Sequence, residues 1–243
     1  MTKQRSFFAI LLLALLFTAS SPIPTYTKKD LMGKFSPSSH SGFVAVPQRY
    51  ATKSMFLRKE TMEAFKRMSK AAAKDGINLI IVSGTRNRNR QMEIWNEKWN
   101  RFKGNDIDRA EEILLYSSMP GTSRHHWGTD IDINSVDPDY FESGRGEKEY
   151  KWLEENAIHY GFFQPYTAKD ENRKEGYREE KWHWSYYPVA NQLLKAYKRM
   201  VSYDDISGFP GSDVAGDIHL FDRFVFGIPN LNEQNGGFFQ VED

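Results

Sequence analysis

Two short stretches of the sequence carry side chains that could hold a metal ion. Residues 123–132 are Ser-Arg-His-His-Trp-Gly-Thr-Asp-Ile-Asp. When no thiolate is available, zinc is bound by imidazole nitrogen and carboxylate oxygen, and a catalytic zinc keeps one position open. His125 lies in a predicted turn and Asp132 on the strand that follows, so a chain reversal at Gly128 can bring them together. His183, in a separate stretch, supplies a third ligand.

Two further residues suit hydrolysis at such a site. Glu180 precedes His183 by three residues and can act as a general base on water. Arg86 lies in the stretch 83–91, which directly follows a predicted strand. An arginine there can hold a substrate carboxylate bidentately or stabilise an oxyanion.

The apolar spacing predicts the elements that position these residues. Helices are expected at 58–74, 90–102, 107–116, 147–160 and 189–200, with one more around 214–225. Strands are expected at 77–82, 129–133, 162–163 and 181–187. Since helices and strands do not alternate regularly, we predict an α+β fold with a mainly antiparallel central sheet flanked by helices.

Composition excludes several other classes of protein. The 243 residues are 40% hydrophobic and 27% charged, which excludes a disordered chain, a fibre and a multi-span membrane protein. With 33 Lys+Arg against 32 Asp+Glu there is no bulk positive field to suggest a nucleic-acid partner. Cysteine is absent, so any metal site must be built from His, Asp and Glu.

The N-terminus has the features of a secretory signal. Lys3 and Arg5 precede eleven apolar residues, 7–17, and then small residues. Such a run is too short to span a bilayer, which takes about 20 residues, so we predict a signal peptide at 1–20 and no stable membrane span after its cleavage. An uncleaved anchor is the alternative. Export of a chain without cysteine favours the bacterial periplasm or cell envelope.

We expect the rest of the chain to divide into three parts. Residues 21–48 are rich in Pro, Ser and Gly and are predicted to be a lead-in linker. Residues 49–205 would form the catalytic domain, and 206–243 a C-terminal extension packed on it. We expect a monomer.

Taken together, the motifs resemble the signature of the zinc D-alanyl-D-alanine carboxypeptidases of the vancomycin-resistance type. Their superfamily includes D-Ala-D-Ala dipeptidases, lysostaphin-like endopeptidases and the hedgehog signalling domain. The family carries Ser-x-His-x-x-Gly-x-Ala-x-Asp, then Glu-x-Trp-His downstream and Ser-Gly-Tyr-Arg-…-Gln upstream. The residues that match, over roughly residues 75–190, are Ser123, His125, Gly128 and Asp132, then Glu180, Trp182 and His183, and upstream Ser83, Gly84, Arg86 and Gln91.

The resemblance implies a set of roles. Zn²⁺ would be bound by His125, Asp132 and His183, with Glu180 as the base. Arg86 would anchor the substrate's carboxylate or carbonyl oxygen, and the substrate pocket would also include Gln91, Ser123 and Trp182. The implied substrate is a peptidoglycan stem peptide that loses its C-terminal D-alanine, from either a pentapeptide (D,D) or a tetrapeptide (L,D).

Some positions leave alternatives open. Asp130 stands where the family has Ala, and on a strand it points to the same side as Asp132. We favour a place behind the ligands; contact with a substrate amine or replacement of Asp132 are the alternatives. Glu180 and His183 are three positions apart, so a regular strand would send them to opposite faces, and Glu180 must lie at the start of the strand or on a bend. His126 should point away from the ion, and His126 as the ligand in place of His125 is the alternative.

Two other functions fit the same motifs. A peptidoglycan endopeptidase would need an open-ended groove and would depend less on a terminal carboxylate. A non-catalytic wall-binding or signalling module could retain the metal. Glu180 argues against the module, since binding alone needs no base at that position.

Overall fold

The computed structural model describes residues 26–171 and 173–229. Its α-helices are α1 (Lys28–Leu31), α2 (Lys59–Lys74), α3 (Arg88–Arg101), α4 (Asp106–Leu114), α5 (Gly144–Asn156) and α6 (Tyr187–Met200). Its strands are β1 (Phe43–Ala45), β2 (Phe56–Arg58), β3 (Ile81–Ser83), β4 (Asp130–Ile133), β5 (Phe162–Phe163) and β6 (His183–Tyr186). Short 3₁₀ turns and a π-helical turn at Phe221–Val225 complete these ranges.

The central sheet has four strands in the order β3-β4-β6-β5, and each neighbouring pair is antiparallel. Strands β1 and β2 form a separate antiparallel pair. The predicted α+β fold with a mainly antiparallel sheet is therefore confirmed. In the register of β4 and β6, Asp132 lies opposite His183 and Asp130 lies opposite Ser185. This pairing brings together residues that are far apart along the chain.

Two hydrophobic clusters hold the sheet and its helices in place. On helix α2, Met62, Phe65 and Met68 are spaced three residues apart. They pack in a cluster that also includes Ile131 and Ile133 of β4. The second cluster joins α3, α4 and α6 to the segment 206–225. The strand that carries Asp132 is thus packed rigidly from behind.

The start of α3 places Arg86 close to the end of β3. Asn87 caps the helix, with its side-chain oxygen accepting a hydrogen bond from the Arg90 amide at 2.9 Å. The backbone amide of Arg86 donates to the carbonyl of His125 at 3.2 Å. The arginine is thereby tied to the turn that carries a candidate metal ligand.

The lead-in has more structure than its composition predicts. Within the part of 21–48 that the structure describes, α1 and β1 form, and Leu31 and Met32 are fully buried. The Trp127 indole donates to the Leu31 carbonyl at 3.0 Å. Pro, Ser and Gly are typical of irregular chain, but here two apolar side chains secure the segment to the core.

Two other elements differ from the prediction in extent. The strand expected at 77–82 forms only at Ile81–Ser83. Asn134 explains the difference, because its side chain bonds the Ile80 amide at 2.7 Å and the Asn78 carbonyl at 2.9 Å in place of a strand partner. The helix expected at 214–225 is a 3₁₀ turn and a π-helical turn instead.

The C-terminal segment packs against the second cluster as far as it is described. Ile206, Phe209, Leu220 and Phe224 are buried there. In residues 26–171 and 173–229, no helix combines the length and apolar character that a membrane span requires. The predicted signal peptide, residues 1–20, lies outside the described ranges.

Candidate metal centre and active site

Three buried side chains converge at the centre of the sheet. His125 Nε2 lies 3.3 Å from Asp132 Oδ1, and His183 Nδ1 lies 3.4 Å from the same oxygen. Ligand atoms of all three residues lie within 4.8 Å of one another. Zinc bonds of about 2.0–2.1 Å in tetrahedral directions place two ligand atoms about 3.3 Å apart. The observed spacing therefore fits zinc.

The hydrogen bonding of the cluster also fits a metal ion. His125 Nε2 and Asp132 Oδ1 are buried and have no hydrogen-bond partner in the described part of the chain. Buried polar atoms are rarely left without a partner, since this costs about 1–3 kcal/mol each. A cation bound between them would satisfy both atoms.

Different elements supply the three candidate ligands. His125 lies on a 3₁₀ turn, Arg124–Trp127, which ends at Gly128 with a left-handed φ of 71°. A Cβ at Gly128 would lie 2.3 Å from Phe43 Cε1, so the chain can reverse there only because the residue is glycine. Asp132 and His183 are cross-strand partners on β4 and β6. The predicted reversal at Gly128 is confirmed.

Hydrogen bonds fix which nitrogen each histidine presents to the cluster. His125 Nδ1 donates to the Gly84 carbonyl at 2.9 Å, since a carbonyl oxygen can only accept, and this leaves the Nε2 lone pair free. His183 Nε2 lies 3.0 Å from Asp130 Oδ1, so Nδ1 faces the cluster. Metal-binding histidines are commonly held in this way by a carbonyl or a carboxylate.

Asp130 lies behind the cluster and is ion-paired with Arg124. The Arg124 Nε donates to Asp130 Oδ1 at 2.9 Å, and its Nη2 donates to Ser185 Oγ at 2.7 Å. Both charged residues are at most 2% exposed. Burial opposes ionisation of Asp130, but Arg124 and His183 hold the pKa of this carboxyl well below its usual range. Of the alternatives for Asp130, these contacts favour the position behind the candidate ligands.

Glu180 approaches the cluster from a bend, as the spacing predicts. It precedes β6, and the His183 amide donates to the Glu180 carbonyl at 3.1 Å, closing a turn. Its Oε2 lies 3.2 Å from His183 Nδ1. Burial raises the pKa of the Glu180 carboxyl, and His183 partly offsets this rise. A carboxylate with a raised pKa is a better proton acceptor for catalysis near neutral pH.

A cleft of about 970 Å³ opens in front of these residues. Of the predicted substrate contacts, Arg86, Ser123 and Trp182 line it. Gln91 does not line the cleft; it is fully buried, and its Nε2 donates to the Ser118 carbonyl at 2.7 Å. The structure thus places Gln91 behind the wall, where it supports the loop that carries Ser118.

His126 points away from the cluster, as expected. Its Nε2 accepts from the Gly121 amide at 3.1 Å, and its Nδ1 donates to the Arg86 carbonyl at 2.6 Å. Burial lowers the pKa of His126 to about 3, so its ring is neutral. Both nitrogens are occupied, and the ring secures the backbone of Arg86.

Two residues at the site, Tyr166 and Lys98, escaped the sequence analysis, and a third, Gly84, was named there only as part of the matched motif. Tyr166 lines the cleft with its ring 4.7 Å from that of His183, Gly84 orients His125 through its carbonyl, and Lys98 lies on the cleft wall. Lys98 had one available signal, because it lies on the predicted helix two turns beyond Gln91. Tyr166 and the carbonyl of Gly84 had none, since tertiary packing alone brings them to the site.

Two imidazoles, one carboxylate ligand and a buried glutamate in one cleft define the class of metal-dependent hydrolase sites. The family model of the VanY D-alanyl-D-alanine carboxypeptidases matches residues 54–189, more than half of the sequence. The chain belongs to this family.

Curated relatives and a solved structure agree with the family assignment. A D-alanyl-D-alanine carboxypeptidase of Enterococcus faecalis is 35% identical over 122 residues, 49% of this chain and 44% of the relative. The putative carboxypeptidase YodJ of Bacillus subtilis is 35% identical over 133 residues, 54% of this chain and 46% of the relative. The chain thus spans less than half the length of these relatives. The structure of the LD-carboxypeptidase LdcB matches with a TM-score of 0.52 and 24% identity, over 70% of this chain and 77% of that one, and supports the fold.

Proposed function

We propose that the protein is a zinc-dependent carboxypeptidase that removes the C-terminal D-alanine from peptidoglycan stem peptides. The observation that carries this proposal is the convergence of His125, Asp132 and His183, with the Glu180 carboxylate 3.2 Å from the His183 ring. A binding module would have no use for a buried carboxylate with a raised pKa at this point. Membership of the family suggests the substrate class.

The residues of the cleft have separate roles in peptide hydrolysis. When bound, zinc would polarise the scissile carbonyl and lower the pKa of water. Glu180 takes a proton from the attacking water and passes it to the leaving amine. Arg86 lies close enough for its charge to lower the pKa of Asp132 and Glu180, so it can also hold anionic oxygens of the substrate.

We also propose that the chain is exported and that residues 1–20 are removed. The basic start, the apolar run and the small residues that follow support this proposal. Expression in a bacterial host, followed by fractionation and N-terminal sequencing, tests it. A protein retained in the cytoplasm with its first residues intact would refute it. The division into domains at residues 49 and 205 likewise stays a prediction.

Mass spectrometry of defined muropeptides tests the activity. We expect purified protein loaded with zinc to release a single alanine from a pentapeptide monomer, and a chelator to abolish the release. Loss of alanine from the tetrapeptide alone would indicate L,D specificity. Cleavage of cross-linked dimers would indicate an endopeptidase, and intact peptides despite bound zinc would indicate a binding module.

Glu180→Gln separates catalysis from metal binding. The amide keeps the shape of the side chain but cannot accept a proton, so we expect zinc to be retained and the rate to fall by about a hundredfold or more. Glu179→Gln, a change at the neighbouring and less buried acidic residue, is the matched control and should leave the rate unchanged. Full activity of Glu180→Gln would show that the base has been misassigned.

A further inference from the structure

Helix α3 forms one wall of the cleft and carries a lysine there. Arg90, Ile94 and Lys98 recur at intervals of four residues, and all three line the cleft. Residues at this spacing lie on one face of a helix. Lys98 is therefore part of the wall that begins beside Arg86, and the proposed function assigns it no role.

Lys98 is a half-buried cation without a carboxylate partner. Its Nζ donates to Ser117 Oγ at 2.7 Å. In the described residues, no ion pair within 4.0 Å includes Lys98. Burial lowers the pKa of this ammonium group, and the charge of Glu180 partly opposes the effect. An ammonium group that loses water without a carboxylate in direct contact is costly, so its retention here points to an anionic ligand.

The cleft wall near Lys98 carries a second cation. The charge of Arg86 lowers the pKa of Lys98, which places the two cations near one another. The Nε of Arg86 is buried without a hydrogen-bond partner among the described residues. Ser117 and Ser118 line the same part of the cleft and offer neutral donors. Two cations that repel each other and an unused donor suit a bound carboxylate.

Lys98 shares the cleft with Arg86 and the candidate base. Arg86 and Lys98 both line the cleft, as does Glu180. Glu180 is the strongest charge acting on Lys98. Lys98 therefore lies in the same cleft as the candidate base, close enough for the two charges to interact.

We propose that Lys98, together with Ser117, binds the C-terminal carboxylate of the residue that is cleaved off, and so makes a free C-terminus a requirement. Two cations, Lys98 and Arg86, then recognise the terminal carboxylate. This inference rests on the proposed function, because it names the part of the substrate that a known side chain would bind. Binding of the terminal carboxylate would also give a physical reason why the protein removes residues from chain ends and does not cut cross-links.

A comparison of two substrates and two proteins tests the role of Lys98. The substrates are Nα,Nε-diacetyl-L-Lys-D-Ala-D-Ala and the same peptide with a C-terminal amide. The variant Lys98→Met removes the charge and keeps the length of the side chain. Lys103→Met, at an exposed lysine just beyond the same helix, is the matched control. The amide substrate controls for any general damage to the variant, since damage would affect both substrates alike.

We expect Lys98→Met to raise KM for the acid substrate by about tenfold to a hundredfold, the range for a charged hydrogen bond, with little change in kcat. For the amide substrate, Lys98→Met and the unaltered protein should differ by less than about threefold. Equal losses on the two substrates, or no loss on either, would overturn the proposal. Lys103→Met should behave as the unaltered protein on both.

A binding measurement separates failure of this inference from failure of the proposed function. Calorimetry with the zinc-loaded Glu180→Gln protein compares its affinity for the acid and the amide, with and without Lys98→Met. If the unaltered enzyme released no alanine, the proposed function would fail, yet a preference for the acid that Lys98→Met removes would still support the anion site. If alanine were released but the acid preference survived Lys98→Met, only the role of Lys98 would fail.

Discussion

Removal of the Asp130 carboxylate should weaken zinc binding, although Asp130 is not among the proposed ligands. Its Oδ1 lies 3.0 Å from His183 Nε2 and is the acceptor that turns His183 Nδ1 toward the cluster. In Asp130→Ala the ring loses this acceptor and can flip or change tautomer. Loss of such a partner behind a metal ligand typically costs tenfold to a hundredfold in metal affinity, and we expect a loss of about that size.

The same substitution should also reduce stability, for a separate reason. Arg124 is 2% exposed, and Asp130 is its charged partner. An unpaired charge left at such a site costs roughly 3–5 kcal/mol. The double variant Arg124→Met with Asp130→Ala removes both charges, so it should recover much of the stability while zinc affinity stays low. This pair of variants separates orientation of the ligand from damage to the fold.

Competition with a chromogenic chelator measures the zinc affinity of each variant, and thermal unfolding of the metal-free proteins measures their stability. Asp217→Ala, at an exposed carboxylate remote from the cluster, is the control. If the double variant bound zinc as tightly as the unaltered protein, within about twofold, the orienting role of Asp130 would be refuted.

Three further predictions follow from the geometry of the site. Contacts with Asp130 and Glu180 outweigh burial and raise the pKa of His183 to about 9 in the metal-free protein. Zinc must displace that proton, so the affinity of the protein for zinc should fall by up to about tenfold per pH unit as the pH drops below 9. A zinc affinity that does not change with pH, measured by chelator competition, would contradict this. His125→Ala should abolish zinc binding, whereas His126→Ala should retain it, because both nitrogens of His126 are bonded elsewhere; metal analysis of the two variants decides. Gly128→Ala should lower the melting temperature by at least about 2–4 °C, because a side chain at φ 71° is strained by about 1 kcal/mol or more and its Cβ would also meet Phe43. The control Gly216→Ala should leave the melting temperature unchanged, because a Cβ there meets nothing within 4 Å. Equal melting temperatures for the two variants would show that the turn tolerates a side chain.

The pair Arg124 and Asp130 shows how a departure from the family motif can be read once the structure is known. The sequence shows Asp where the family has Ala, and leaves three roles open for it. In the structure, Arg124 lies in the same buried space and neutralises the charge of Asp130. This ion pair favours the position behind the candidate ligands. A buried carboxylate at position 130 is tolerated because this cation accompanies it.

Short-range patterns were sufficient for much of the architecture. The buried face of α2 follows from the spacing of Met62, Phe65 and Met68, and each is at most 1% exposed. The glycine at position 128 predicts a reversal because few other residues adopt that conformation. Even the bend at Glu180 follows from parity, since a strand alternates its faces.

Other features depend on partners that no local pattern reveals. The Asn134 side chain takes the place of a strand partner for Ile80 and shortens the expected strand. Gln91 matches the family motif, yet it lies behind the cleft wall, because the loop at Ser118 needs a donor there. The Pro- and Ser-rich lead-in gives little sign that Leu31 would be buried.

The side chains available for chemistry can be named from the sequence alone: two imidazoles, two carboxylates and an arginine, each near a turn or a strand. How these side chains meet depends on the fold, through the register that sets Asp132 opposite His183 and the packing that places Lys98 on the cleft wall. Residue type and helical or strand periodicity are local properties, whereas register and side-chain partners depend on how distant segments together bury apolar surface and satisfy every polar group.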